Sequence, residues 1–175
     1  KLNLELKPAF GSIRITSDAS EAAIIHNGQD VGSTPFIQDT VLTGDYSLSI
    51  FKDLHKYYEV NLAVEDGEQT NHHATLDPNF GTLIVKSEPS EKSLYVNDKY
   101  VGNTPLTSKL EPAMYKVTIS DDLYDDFVKN EEIEILKTSE INANLIRKTG
   151  SVTVFTEPPD AEIYLGMNLF PRFLW

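Results

Sequence analysis

Residues 31–35 read VGSTP and residues 101–105 read VGNTP, one five-residue phrase written twice at an interval of 70 residues (102 − 32, between the glycines). A fixed interval of that length marks repeated structural units, and the rest of the chain aligns on it. GSIRITSDASEAAIIHNGQDVGSTP, from Gly11, matches GTLIVKSEPSEKSLYVNDKYVGNTP, from Gly81. A third start, GSVTVFTEPPDAEIYLG, opens at Gly150, 69 residues later (150 − 81). LNLEL near the beginning corresponds to HHATL (His72 to Leu76) and INANL (Ile141 to Leu145), which end the two full units. The chain therefore divides into 1–10, the closing strand of a preceding module; 11–80 and 81–149, two whole modules; and 150–175, the truncated start of a third with an atypical tail.

Within each unit the local signals are β. Ile13 and Ile15, Leu83 and Val85, and Val152 and Val154 alternate with small or polar residues, the period of a half-buried strand. AAIIH, KSLYV and AEIYL are rich in branched and aromatic residues. Asn27-Gly28 is a strong hairpin signal, because both residues accept positive φ; Asn97-Asp98 stands there in the second unit and tolerates the turn less well. Gly32 and Gly102 supply conformational freedom after a valine, and Thr34-Pro35 and Thr104-Pro105 set an extended exit. No segment carries a helical apolar stripe. The expected fold is all-β: tandem small sandwiches, Ig-like, of about 70 residues each.

The pattern resembles the PEGA domain family, in which a Pro-Glu-Gly-Ala segment precedes a vG.tP stretch, a pG.y strand and a closing strand. Pro158, Pro159, Asp160 and Ala161 occupy the name-giving segment in the third copy; Pro89 is kept in the second, which has Lys92 for alanine, and Ala22 in the first, which has Ala19 for proline. NGQDVGSTP and NDKYVGNTP match the next stretch, and Thr43 to Tyr46 and Pro112 to Tyr115 match the pG.y element less closely. The resemblance implies a compact β module, often in tandem, in bacterial and archaeal proteins that are frequently extracytoplasmic, and it brings no catalytic residues. After Gly166 the chain departs from the pattern with MNLFPRFLW.

Composition narrows the function further. The formal charge of −12 disfavours a nucleic-acid partner, and 40% hydrophobic residues with 10% aromatics are a globular composition. The absence of cysteine removes disulfides, thiolate metal sites and a cysteine nucleophile. No apolar run approaches the roughly 20 residues of a membrane helix. The chain opens at Lys1, so an upstream segment carrying the address is expected.

Candidate chemistry resolves mostly into structure. His72 and His73 are adjacent on a strand and face opposite sides, so they do not read as a metal pair. The acidic run with Asp121, Asp122, Asp125, Asp126, Glu131 and Glu132 lacks EF-hand spacing and reads as a solvated loop. No nucleophile elbow or phosphate loop is present. No catalytic residue, metal or cofactor is assigned, and the chain is expected not to be an enzyme. Among the aromatics, Tyr95 and Tyr164 recur as core or cross-strand residues would. Tyr57, Tyr58, Tyr124 and Phe127 mark candidate interaction loops.

The expected function is a non-catalytic tandem β segment of a bacterial cell-surface or periplasmic protein, acting as spacer, scaffold or protein-interaction stalk. The alternative is an accessory module binding glycan or cell-wall polymer. Leu2 to Leu6 and residues 151–165 read as strands without their modules, and self-association through them, covering Phe170, Phe173, Leu174 and Trp175, is a further expectation.

Overall fold

The computed structural model describes residues 9–157 together with Glu162, Tyr164, Leu165, Asn168 and Leu169. Leu2 to Leu6, Pro158, Ala161 and the aromatic tail lie outside the described residues, and with them the expectation of terminal-strand pairing. Module one holds β1 (Phe10–Ser17), β2 (Ala23–His26), β3 (Gln29–Ser33), β4 (Phe36–Leu42), β5 (Gly44–Phe51), β6 (Tyr58–Val64) and β7 (Gln69–Ala74). Module two repeats them as β8 (Gly81–Glu88), β9 (Ser93–Val96), β10 (Lys99–Asn103), β11 (Leu106–Leu110), β12 (Ala113–Asp121), β13 (Tyr124–Ile133) and β14 (Thr138–Asn144). A short hairpin, β15 (Tyr164–Leu165) with β16 (Asn168–Leu169), follows.

Each module is a sandwich of a three-stranded and a four-stranded sheet, ordered β4-β1-β7 and β3-β2-β5-β6 in the first and β11-β8-β14 and β10-β9-β12-β13 in the second. The all-β tandem expectation holds. Every ladder is antiparallel except that of the opening and closing strands, β1 with β7 and β8 with β14, which run parallel. Parallel neighbours need a long crossover, and here the rest of the module is that crossover. Each module is thereby closed on itself. Phe10, read from sequence as the end of a preceding strand, instead opens β1 opposite Leu42.

Alternation puts one face of each strand into the core. Ile13, Ile15, Ile24, Leu48, Ile50, Leu62, Val64, Ala74 and Leu76 are buried in module one, and Leu83, Val85, Leu94, Val117, Ile119, Ile133, Ile141 and Ala143 in module two. Each large aliphatic side chain so placed contributes about 1.5–3 kcal/mol. Module two departs at its edge, where Lys129 and Glu131 occupy the slots of Val60 and Leu62 and form a 2.7 Å ion pair. Charges of this kind on an edge strand oppose pairing with a foreign strand.

The repeat lengths of 70 and 69 also have a structural cause. β1 meets β4 at Gly11↔Val41 and again at Ile13↔Gln38, so β4 carries one extra residue. β8 and β11 pair without interruption from Gly81↔Leu110 to Leu83↔Ser108. A bulge in one edge strand therefore accounts for the difference.

Two further sequence expectations are corrected. The acidic run is a hairpin rather than a loop: β12 and β13 pair from Ala113↔Ile133 to Ile119↔Phe127, because Phe127 and Ile133 need the core. Residues 150–157 carry no strand, and Val152 and Val154 are 79% and 52% exposed. Their counterparts in β8 are held by β11 and β14 on either side, and no such partners stand beside residues 150–157 among the described residues.

Candidate functional site

The repeated phrase forms the same polar relay in both modules. Thr34 and Thr104 are buried, 2% and 1% exposed. Thr34 Oγ1 accepts the Ala22 N–H at 3.1 Å and lies 2.6 Å from Ser17 Oγ, while Ser17 donates to the Ala19 carbonyl. A hydroxyl has one proton, so Thr34 must be the donor to Ser17. In module two the Lys92 N–H donates to Thr104 Oγ1 at 3.2 Å, Thr104 to Ser87, and Ser87 to the Pro89 carbonyl at 2.7 Å. Gly32 and Gly102 both sit at φ 141°, on the bulges that bring the threonines inward, and the bonds to Pro35 and Pro105 are cis. The serines, missed in the sequence reading, recur at the same 70-residue interval (87 − 17), which was the available signal.

Other turn residues are placed by equally local physics. Asn27 and Gly28 have φ 51° and 75°, and Asn97 and Asp98 have φ 48° and 62°, so both hairpins carry the same turn. Asp98 is held there by Lys116, whose Nζ lies 2.8 Å away and whose N–H donates to Asn97 Oδ1. The tyrosines of the pG.y element are corner residues: Tyr46 donates to the Leu42 carbonyl at 2.8 Å and Tyr115 to that of Glu111 at 3.1 Å. Burial, assisted by Glu111, raises the Tyr115 phenol above its ordinary pKa.

The connection between modules is a built joint. The Lys56 N–H donates to the Asp77 carbonyl at 2.9 Å and the Asn79 N–H to the Leu54 carbonyl at 2.7 Å, with His55 bridging Pro78. Phe80 then meets the His55 ring edge-on at 6.3 Å and lies 4.2 Å beneath the Lys109 ammonium of module two. The exit of module two is clamped identically: Asp125 N–H to Ile146 carbonyl and Lys148 N–H to Leu123 carbonyl, both 2.8 Å, with Tyr124 bridging Arg147.

The candidate interaction residues separate. Tyr57 is 68% exposed and stacks on Phe51 at 5.1 Å. Tyr58, Tyr124 and Phe127 are strand rather than loop residues, since β6 and β13 extend further than the polar sequence suggests. Tyr58 and Phe127 pack against the two cores, and Tyr124 lies 4.9 Å below the Lys92 ammonium. Lys92 fills the family's alanine position by pairing with Asp121 at 2.8 Å. Their hydrogen bond raises the lysine pKa and lowers that of the carboxylate. His72 faces inward, 3.0 Å from the Tyr58 hydroxyl, at the slot of Ile141; burial and the neighbouring His73 depress its pKa. His73, on the exposed face, meets Thr16 Oγ1 at 2.9 Å. Among the described residues no three His, Asp or Glu side chains converge as a metal-binding group, and no helix is long and apolar enough to cross a membrane.

Seven-stranded sandwiches with a shared relay, a shared corner tyrosine and a shared exit clamp define a class of tandem extended β modules. The chain belongs to the PEGA domain family, which matches it at residues 10–79 and 80–148. No curated protein matches it. Among solved structures it is similar to the Bacillus anthracis TIE protein, with 16% identity and a TM-score of 0.39 over 79% of this chain and 34% of that one, about a third of its length. It is also similar to GBS52, the minor pilin of Streptococcus agalactiae, with 8% identity and a TM-score of 0.34 over 82% of this chain and 99% of that one. A DUF3823 family protein from Bacteroides ovatus follows, with 12% identity and a TM-score of 0.25 over 74% of this chain and 98% of that one.

Proposed function

We propose that this chain is a non-catalytic spacer and scaffold of an extracytoplasmic bacterial protein, holding what is attached to it at a set distance and orientation. The observation that carries the reading is the joint. A flexible linker would leave the backbone between modules free, whereas Asp77 and Asn79 are hydrogen-bonded to module one. Phe80 lies between His55 of module one and Lys109 of module two, its carbonyl accepting the Leu136 N–H at 2.8 Å. The same clamp at residues 146–148 supports a rule of assembly rather than an accident of one junction. The Lys129–Glu131 pair on the edge strand β13 suits a stalk, because charges there resist pairing with a neighbouring strand.

The test is a distance measurement across the joint. The chain has no cysteine, so Asp39→Cys with Thr107→Cys, both on exposed positions, accepts exactly two spin labels. A narrow distance distribution that broadens in His55→Gly is the expected result. A broad distribution in the parent chain would sink the spacer reading.

A further inference from the structure

Strand register sets four side chains in a line across the outer face of the module-two sheet β10-β9-β12-β13. Tyr100 stands opposite Tyr95, Tyr95 opposite Thr118, and Thr118 opposite Val128. Their chain neighbours Leu94, Val117 and Ile119 are buried, so by alternation the line points away from the core. Tyr100 and Val128 are each 55% exposed. The tyrosine rings meet at 66° with centroids 5.7 Å apart, and the Tyr100 hydroxyl is anchored on Asn103 at 3.0 Å. Thr118 Oγ1 is shut off from solvent, so this position offers a ligand its methyl group rather than its hydroxyl.

Polar rows flank the line. On one side Ser93 faces Ser120, whose hydroxyl donates to Asp126 at 2.6 Å. On the other Lys116 faces Asn130, with the Lys116 ammonium 2.8 Å from Asp98. The corresponding line in module one reads Asp30, Ile25, Ser49 and Glu59, acidic at both ends and without an aromatic ring. Relay, corner and clamp are common to the two modules. This line is not, so the common fold does not account for it.

We propose that this face of module two binds an uncharged glycan, laid across the strands along Tyr100, Tyr95, Thr118 and Val128. The line spans about 14 Å, three interstrand steps of about 4.8 Å, the length of a short oligosaccharide. A pyranose ring offers C–H groups on its faces and hydroxyls around its rim. The faces match Val128 and one tyrosine ring, the other ring, turned 66° from it, meeting the sugar by its edge; the rim hydroxyls reach the serine, asparagine and charged flanks. Charge complementarity selects among occupants. Lys116 is already matched by Asp98, and a chain of net charge −12 repels a polyanionic glycan or a nucleic acid. The site is independent of the joint, and a spacer that bound no sugar would still be a spacer.

The test is amide-resolved NMR of the whole 175-residue chain, titrated to millimolar concentration with hexamers of β-1,4-linked glucose and of β-1,4-linked N-acetylglucosamine. Shifts centred on Tyr95, Tyr100, Thr118 and Val128 are expected with at least one hexamer, while Asp30, Ile25, Ser49 and Glu59 stay in place. Tyr100→Ala should weaken binding about tenfold, the loss of one stacking contact, and Tyr57→Ala, away from the line, should leave it nearly unchanged. Unaltered resonances from the module-two core verify that each variant is folded. Absence of shifts with both hexamers, shifts centred elsewhere, or equal binding by Tyr100→Ala each overturns the proposal.

Discussion

Replacing Thr104 by valine removes one buried oxygen and almost nothing of the side chain's shape. The Lys92 N–H then loses its acceptor and Ser87 its donor. An unpartnered, partly buried N–H costs about 1–3 kcal/mol, and the lost hydroxyl bond about 0.5–1.5 kcal/mol. The added methyl returns up to about 0.8 kcal/mol. The net expectation is a loss of about 2 kcal/mol, a large share of what a 70-residue module has at about 0.05–0.15 kcal/mol per residue. Thr104→Ser keeps every bond and removes one methyl, so it should cost only about 1 kcal/mol. Native-state hydrogen exchange reads each module separately in the intact chain. Core amides of β9 and β12 should exchange about 30-fold faster in Thr104→Val, with module one unchanged as an internal control. If Thr104→Val proves as stable as the parent, or more stable than Thr104→Ser, the threonine is a packing residue and the relay argument fails.

Two further outcomes follow from differences between the modules. His72 has a folded pKa below its ordinary value, so the unfolded chain binds the extra proton first; module one should be fully stable above about pH 6.5 and lose stability as pH falls below it. Tyr58→Phe with His72→Ile, which copies the Phe127–Ile141 pair, should flatten the part of that slope due to His72 in urea titrations at pH 7 and pH 5, and an unchanged slope would assign the effect elsewhere. In the tight turn before the closing strand, Gly67 has φ 73° but its counterpart Leu136 has φ 58°. Left-handed backbone costs a side-chain residue about 1–2 kcal/mol, so Gly67→Leu should destabilise module one by about 1 kcal/mol while Leu136→Gly leaves module two unchanged or slightly more stable. Equal effects at both positions in thermal unfolding would contradict this.

Much of the architecture is legible in the residues alone, and for local reasons. Alternation at Ile13 and Ile15 or Leu83 and Val85, and positive-φ residues at Asn27 and Asn97, depend only on near neighbours, so hairpins, strand faces and the module period can be read directly. Asp98 was harder, because a tertiary hydrogen bond from Lys116 secures a turn its own propensity supports weakly. Tyr58, Tyr124 and Phe127 read as loop residues for the same kind of reason: polar neighbours suggest solvent, whereas core packing of Tyr58 and Phe127 and the Lys92 contact of Tyr124 draw the strands onward.

What composition and periodicity determine by themselves is an all-strand unit, copied in series, with glycine at its bulges and proline after its buried threonine. Tertiary structure alone decides the parallel pairing of each module's first and last strands, the clamp on the exit segment, and the line from Tyr100 to Val128. These features join residues between a few and nearly sixty positions apart in the chain, through ladders perpendicular to the strands. Sequence order runs along a strand, and that sideways neighbourhood exists only once the sheets have formed.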